Sequence, residues 1–209
     1  MVERQLRRRG IVEEHILDAF RRVPREEFVS AASAAVAYGD HPLPIEAGQT
    51  ISQPYIVALM IQAAGIEAGD RVLEVGSGSG YAAGVISRIA SIVIGIERQH
   101  ALVDAARGRL ERLGYANVEI VESDGTKGWP DAAPYDAILV AASGSHVPQP
   151  LADQLSPGGS IVMPVGAPTA VQQLIMVTKA ENGSLQQSSL GAVRFVPLIG
   201  EEGWSALPH

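Results

Sequence analysis

A chain of 209 residues, 46% of them hydrophobic, can fill one substantial core, so a single domain over 1–209 is expected. Its formal charge of -7 argues against nucleic acid as a partner, and the absence of cysteine excludes disulfides and thiolate chemistry. No stretch reaches the roughly 18 to 20 apolar residues of a membrane span. The mixed charged and apolar run from Gly10 to Asp18 is not a signal peptide, which leads to the expectation of a cytoplasmic protein with no membrane partner.

Met1 to Ser30 reads as helical, with Leu6, Ile11, Ile16, Leu17 and Phe20 at helical intervals and Gly10 dividing two pieces. Pro24 turns the chain, and Ala31 to Val36 is either a short helix or an irregular packed segment. Tyr38 to Pro54 has no clean period. Pro42, Pro44, Gly48 and Pro54 punctuate it, while Gln49, Thr50 and Ser52 bring uncharged hydrogen-bonding groups into apolar surroundings. A long irregular segment in a compact domain implies a functional reason. Tyr55 to Ala64 is a largely buried helix.

Strands and helices then alternate. Strands are expected at Arg71–Val75, Ser91–Ile96, Val118–Val121, Tyr135–Ala141 and Ser160–Val165, and helices at Tyr81–Ile89, His100–Leu113 and Val147–Leu155. This alternation predicts an α/β fold with a mostly parallel, Rossmann-like sheet covered by helices on both faces. Gln172–Thr178 and Val193–Leu198 read as a closing antiparallel pair, with Lys179 to Gln187 as the connection. The division is an N-terminal cover at 1–64, an α/β core at 65–166 and a C-terminal extension at 167–209.

The sharpest local feature is Glu74-Val75-Gly76-Ser77-Gly78-Ser79-Gly80, between a strand and a helix. Its glycines permit tight turns and let a ligand approach the main chain, although the same turn also serves as a plain structural crossover. It holds no lysine and is not a phosphate loop. Glu97 ends the second strand about 20 residues further on, where a carboxylate accepts hydrogen bonds from ribose hydroxyls. Asp124-Gly125 follows the third strand and suits an adenine amino group or the support of the adjacent loop. A dinucleotide fits the same three points. Glu74 favours a different ligand, because a carboxylate there matches the amino group and sulfonium of S-adenosylmethionine better than a pyrophosphate. S-adenosylmethionine is the expected cofactor, with another adenosine cofactor as the alternative.

At this point the chain resembles the protein-L-isoaspartate O-methyltransferase family, from Val23-Pro24-Arg25 to Val193-Arg194-Phe195-Val196-Pro197-Leu198. Further matches are Tyr38 with Asp40, Pro42-Leu43-Pro44-Ile45, Gly48-Gln49-Thr50-Ile51-Ser52 and the glycine turn continued to Tyr81. Asp124-Gly125 with Gly128-Trp129-Pro130, and Pro134-Tyr135-Asp136-Ala137-Ile138, complete the set. The resemblance implies methyl transfer from S-adenosylmethionine to the α-carboxyl group of L-isoaspartyl residues in damaged proteins and peptides. The products are a methyl ester and S-adenosylhomocysteine, and repair then proceeds through a succinimide. It also implies the sheet order 3-2-1-4-5-6-7. The substrate carboxylate is already an anion near neutral pH, so alignment matters more than a strong base.

On that resemblance Ser52 is the catalytic-site residue, orienting substrate without covalent attack, and Gln49 and Thr50 shape its pocket. Glu74, Gly76, Ser77 and Gly78 are assigned to the methionine end of the cofactor, Glu97 to ribose, and Asp124 with Gly125 to adenine. Val193, Arg194 and Val196 are assigned to an extended peptide through main-chain hydrogen bonds. Ala141 and Ala142 leave room beside the reacting group or simply pack. Two departures stand out: Glu46 where the family often has glycine, and Ala141-Ala142-Ser143-Gly144 in place of threonine-alanine-alanine-alanine. His15, His41, His100, His146 and His209 form no cluster in sequence, so no metal is expected, and Trp129 is read as a packing anchor. A monomer is the expected state. The rival readings are a methyltransferase for another small-molecule or protein carboxylate, and an inactive cofactor-binding module.

Overall fold

The apolar runs assemble into one sheet whose two faces are covered by different parts of the chain. The computed structural model describes residues 1–205, and His209 lies outside them. Its regular elements are α1 (Glu14–Arg22), β1 (Leu43–Pro44), β2 (Thr50–Ile51), α2 (Pro54–Ala64), β3 (Arg71–Val75), α3 (Tyr81–Ile86), β4 (Ile92–Glu97) and α4 (His100–Arg112). They continue with β5 (Val118–Glu122), β6 (Tyr135–Val140), α5 (Gln149–Asp153), β7 (Leu155–Val165), β8 (Gln172–Lys179) and β9 (Leu185–Val193).

The main sheet has seven strands in the order β5-β4-β3-β6-β7-β8-β9. The first five strands in sequence run parallel, and β8 is antiparallel to both of its neighbours. Counted along the chain, this is the order 3-2-1-4-5-6-7 that the family resemblance implied. Alternation within each strand sorts its side chains between two cores. Val72, Val93, Ala137, Leu139 and Val162 join residues of α1 to α4 on one face. Leu73, Val75, Ile94, Ile138 and Ile161 join Leu151 of α5, Trp129 and Leu198 on the other. Because both faces are buried, the central strands are almost continuously apolar.

Helix boundaries follow local chemistry. Pro54 stands in the first turn of α2, where a missing N–H costs nothing, and left-handed Gly65 ends the helix. The N-terminal stretch breaks into a π turn at Val2–Leu6, a 3-10 turn at Arg7–Arg9 and α1, with left-handed Gly10 as the divider. Ala31 to Val36 contains a 3-10 turn at Ala34–Val36.

One strand lies elsewhere than the sequence pattern suggests. The partner of β8 is β9, at Leu185–Val193, and the apolar segment after Val193 runs on outside the sheet. β9 is an edge strand exposed along nearly its whole length, so it lacks the buried alternation that would reveal it. Val193 and Leu198 are apolar because they are buried, and Pro197 has no N–H for a ladder.

Candidate active site

The sheet order reverses at β3, which has β4 on one side and β6 on the other. A crevice opens beyond the strand ends at such a point. Here it becomes a cavity of about 220 Å³, walled by Glu74 to Ser79, Ile96 to Gln99, Gly125, Ala141 and Ala142. Gln49 to Ser52 from the N-terminal cover and Val196 to Ile199 from the chain end close it.

The glycine turn is held by backbone geometry. The Gly76 and Ser77 N–H groups both donate to the Ile96 carbonyl, at 2.8 and 3.0 Å, folding the turn over the end of β4. Gly76 and Gly78 are left-handed, at φ 84° and 52°, a conformation that side chains disfavour. Gly78 N–H donates to Glu97 Oε2 at 3.1 Å, and the Arg98 and Gln99 N–H groups donate to Glu97 Oε1 at 2.8 and 2.9 Å. Glu97 is thus fixed by three backbone donors. A carboxylate has about four acceptor positions, so one is left for a hydroxyl in the cavity.

Glu74 is in the opposite condition. It is 2% exposed, and neither its Oε2 nor the Ser77 Oγ beside it has a hydrogen-bond partner. Burial pushes the Glu74 carboxyl up to about 7, and the nearby Ser77 hydroxyl, outside bonding geometry, offsets only part of this. Buried polar atoms normally find partners. An acceptor and a hydroxyl without partners, on two residues of the cavity wall, suit a cationic amino group. The donor set therefore fits S-adenosylmethionine at both ends, through Glu74 with Ser77 and through Glu97.

Asp124 follows the second of its two readings, support of the adjacent loop. Its Oδ1 accepts from the Thr126 N–H and hydroxyl, at 2.9 and 2.7 Å, and its Oδ2 accepts from the Glu201 N–H at 2.9 Å. The carboxylate caps a turn and ties down the chain end, while Gly125 forms the cavity wall.

A second space, a groove of about 740 Å³, adjoins the first. Pro42, Gln53, Ile56, Val193, Arg194 and Phe195 line it, and it shares Thr50, Ser52, Ala141, Val196 and Pro197 with the cavity. Of the predicted substrate-side residues, Thr50, Ser52 and Val196 border both spaces, Gln49 the cavity alone, and Val193 and Arg194 the groove alone. Phe195 N–H donates to the side-chain oxygen of buried Gln172 at 2.9 Å, and the Gln172 amide nitrogen reaches the Ala167 carbonyl at 3.2 Å. Phe195 packs against the core, and Arg194 beside it is exposed.

The loop bearing Ser52 is tied down by side chains from far away. Arg25 Nη2 donates to the Ser52 carbonyl at 2.8 Å. Asp40 accepts from Tyr55 N–H at 3.1 Å, from Gln53 Nε2 at 2.9 Å and from Arg9 at 2.6 Å. The Glu46 departure sits in the tight turn joining β1 and β2, where it faces Arg109 of α4 at 3.6 Å, and Arg109 also donates to the Ser79 carbonyl at 2.7 Å. In the second departure, the Ser143 N–H donates to the Val196 carbonyl, and the Ser143 carbonyl accepts from the Leu198 N–H and the Trp204 indole N–H, each at 2.8 Å. A Cβ at Gly144 would collide with the Met163 methyl group and the His146 carbonyl.

No local sequence pattern marks Tyr81, Gln99 and Ile199 as wall residues, or Arg25 and Gln172 as supports. Arg25 was visible in the matched Val23-Pro24-Arg25, but with no role attached. Among the described residues, no group of three or more His, Cys, Asp or Glu side chains is placed to hold a metal ion.

Comparison with known proteins points the same way. The family described as Protein-L-isoaspartate(D-aspartate) O-methyltransferase (PCMT) matches residues 1–203. A protein-L-isoaspartate O-methyltransferase 2 of Pelobacter propionicus is 54% identical over 98% of this chain and 91% of its own length. A protein-L-isoaspartate O-methyltransferase of Rhodopseudomonas palustris is 52% identical over 98% of this chain and 94% of its own. A solved protein-L-isoaspartate O-methyltransferase superposes with TM-score 0.87 at 32% identity, covering 97% of this chain and 67% of that one. The Plasmodium falciparum structure described by the same activity, in complex with S-adenosyl-L-homocysteine, gives TM-score 0.81 at 28% identity, covering 95% and 96%. Fold, site and sequence agree, and the chain belongs to the protein-L-isoaspartate(D-aspartate) O-methyltransferase family.

Proposed function

We propose that this chain, as a protein-L-isoaspartate O-methyltransferase, holds S-adenosylmethionine in the cavity and an L-isoaspartyl protein or peptide in the groove, so that the α-carboxylate lies beside Ser52. The observation that carries the reading is the shared wall, since Thr50, Ser52, Ala141 and Val196 border both spaces. When bound, S-adenosylmethionine supplies an electrophilic methyl group on a positive sulfonium and leaves as S-adenosylhomocysteine. The methyl ester formed on the peptide then favours succinimide closure and repair.

The protein's part is alignment. Glu74 and Ser77 bind the amino end, and Gly76 and Gly78 let it approach the backbone. Glu97 orients ribose with its remaining acceptor position. Gly125 forms the adenine-side wall, with Asp124 holding the chain end against it. The Ser52 hydroxyl donates to the substrate carboxylate, with Thr50 and Gln49 framing it. Such donors must orient the anion without weakening its attack. Arg194 and the Val196 N–H, following Val193, offer main-chain groups to an extended peptide with little regard for its sequence, the Val196 carbonyl being already bonded by Ser143. Ala141 at the junction and Ala142 on the cavity wall leave steric room.

We place the enzyme in the cytoplasm as a monomer, and read residues 1–64, 65–166 and 167–209 as the cover, cofactor core and substrate-side extension of one domain. Among the described residues no helix is long and apolar enough to cross a membrane. The test is incorporation of labelled methyl groups from S-adenosylmethionine into an isoaspartyl peptide and its normal aspartyl isomer. One methyl group on the first and none on the second is expected. Equal labelling of both would assign the chain another carboxylate, and cofactor binding without transfer would make it a binding module.

A further inference from the structure

Buried cations are ordinarily paired with anions. Arg25 is not. Its side chain is 0% exposed, and among the described residues no carboxylate forms an ion pair with it. Its Nε donates to the Ala37 carbonyl and its Nη2 to the Ser52 carbonyl, each at 2.8 Å, while Nη1 has no partner. The Tyr81 ring lies 4.6 Å from the guanidinium carbon. Asp40, the acid whose charge reaches it, is itself bonded to Arg9, Gln53 and the Tyr55 N–H. Burial lowers the Arg25 pKa, yet a guanidinium retains its proton at physiological pH.

We propose that Arg25 is a positioning residue whose missing counter-ion is the substrate carboxylate itself, held one residue away across Ser52. This rests on the reading that places the carboxylate at Ser52. The arrangement has a chemical logic. A bidentate arginine in direct contact would occupy the lone pairs the carboxylate needs for attack. A cation set behind the Ser52 backbone attracts the anion through a poorly screened interior and leaves those oxygens free. The same guanidinium fixes the Ser52 carbonyl, so charge and geometry arrive together.

The test uses the protein saturated with S-adenosylhomocysteine and two peptides, one with the isoaspartyl α-carboxylate and one with the neutral carboxamide in its place. In the wild-type protein the carboxylate peptide binds more tightly. Arg25→Gln, which keeps amide donors but no charge, lowers the ratio of the two affinities by at least about tenfold, the scale of a single unscreened charge interaction. Arg25→Lys, which keeps the charge, largely preserves it. Loss of backbone support alone would weaken both peptides equally and leave the ratio unmoved.

An unchanged ratio in Arg25→Gln overturns the proposal. So does a ratio near one in the wild-type protein, a measurement that needs no variant to fold. Transfer by Ser52→Ala separates the two readings. If Ser52→Ala is as active as wild type while Arg25→Gln loses its preference, the Ser52 assignment fails and the charge effect stands. If Ser52→Ala is slow and the Arg25→Gln ratio is unmoved, only the Arg25 inference fails.

Discussion

The cavity and the groove meet along one wall but are built on opposite principles. The cavity hangs on strand ends: Glu97 is gripped by three neighbouring backbone N–H groups, and the glycine turn bonds the end of β4. The groove is made of irregular segments, and side chains from distant positions fix it, Arg25 to Ser52 and Gln172 to Phe195. Local backbone geometry makes a site for an invariant ligand. Long-range side-chain ties make the one proposed for a chain that varies in sequence.

The largest effect tests whether the cavity is poised for a cation. Burial raises Glu74 from 4.5 to about 7, so the ligand-free fold holds this proton more tightly than the unfolded chain does. That contribution is fully present below about pH 4.5 and is lost as pH rises through about 7, in total about 3 kcal/mol at about 1.4 kcal/mol per unit. Ligand-free protein should lose melting temperature across this window, and Glu74→Gln should flatten the profile. Because an ammonium favours the ionised acid, cofactor affinity should rise with pH over the same range. A wild-type profile identical to that of Glu74→Gln would reject the idea.

Next comes Glu97→Ala. It removes the proposed ribose acceptor and the anchor of Gly78, and should weaken cofactor binding by about 2 kcal/mol, the scale of a hydrogen bond to a charged group. Calorimetry with S-adenosylhomocysteine measures this, and unchanged affinity would remove Glu97 from the site. On the groove side, Ser52→Ala should slow transfer roughly tenfold, the lower end of the same scale, with cofactor affinity unaltered. Equal turnover would end its assigned role.

The same contrast governs what the sequence disclosed. The glycine turn and Glu97 were legible because regular strand–turn–helix spacing places them, and the central strands announce themselves by burial on both faces. Asp124 was found at the right loop, but its carboxylate turns to Thr126 and Glu201, a contact 77 positions away that no local pattern encodes. The apolar pattern points to Val193–Leu198 in place of β9 because an exposed edge carries no apolar alternation. Arg25 and Gln172 reach partners 27 and 23 positions off, so their roles depend on the fold itself.

Gln172 gives the smallest and most selective test. It is 1% exposed at the start of β8, and its amide serves the Phe195 backbone as a neighbouring strand would. Gln172→Leu keeps the bulk but leaves the Phe195 N–H without an acceptor, which frees that residue to rotate. The peptide KM should then rise several-fold, about 1 kcal/mol for one neutral hydrogen bond, while kcat and cofactor affinity hold. Gln172→Glu retains the acceptor for Phe195 N–H and should restore part of the loss. A fall in cofactor affinity of the same size would show that the two halves of the site are not separable, because the chain beyond Phe195 also walls the cavity through Val196 to Ile199. An unchanged peptide KM would mean that the groove does not depend on where Phe195 points.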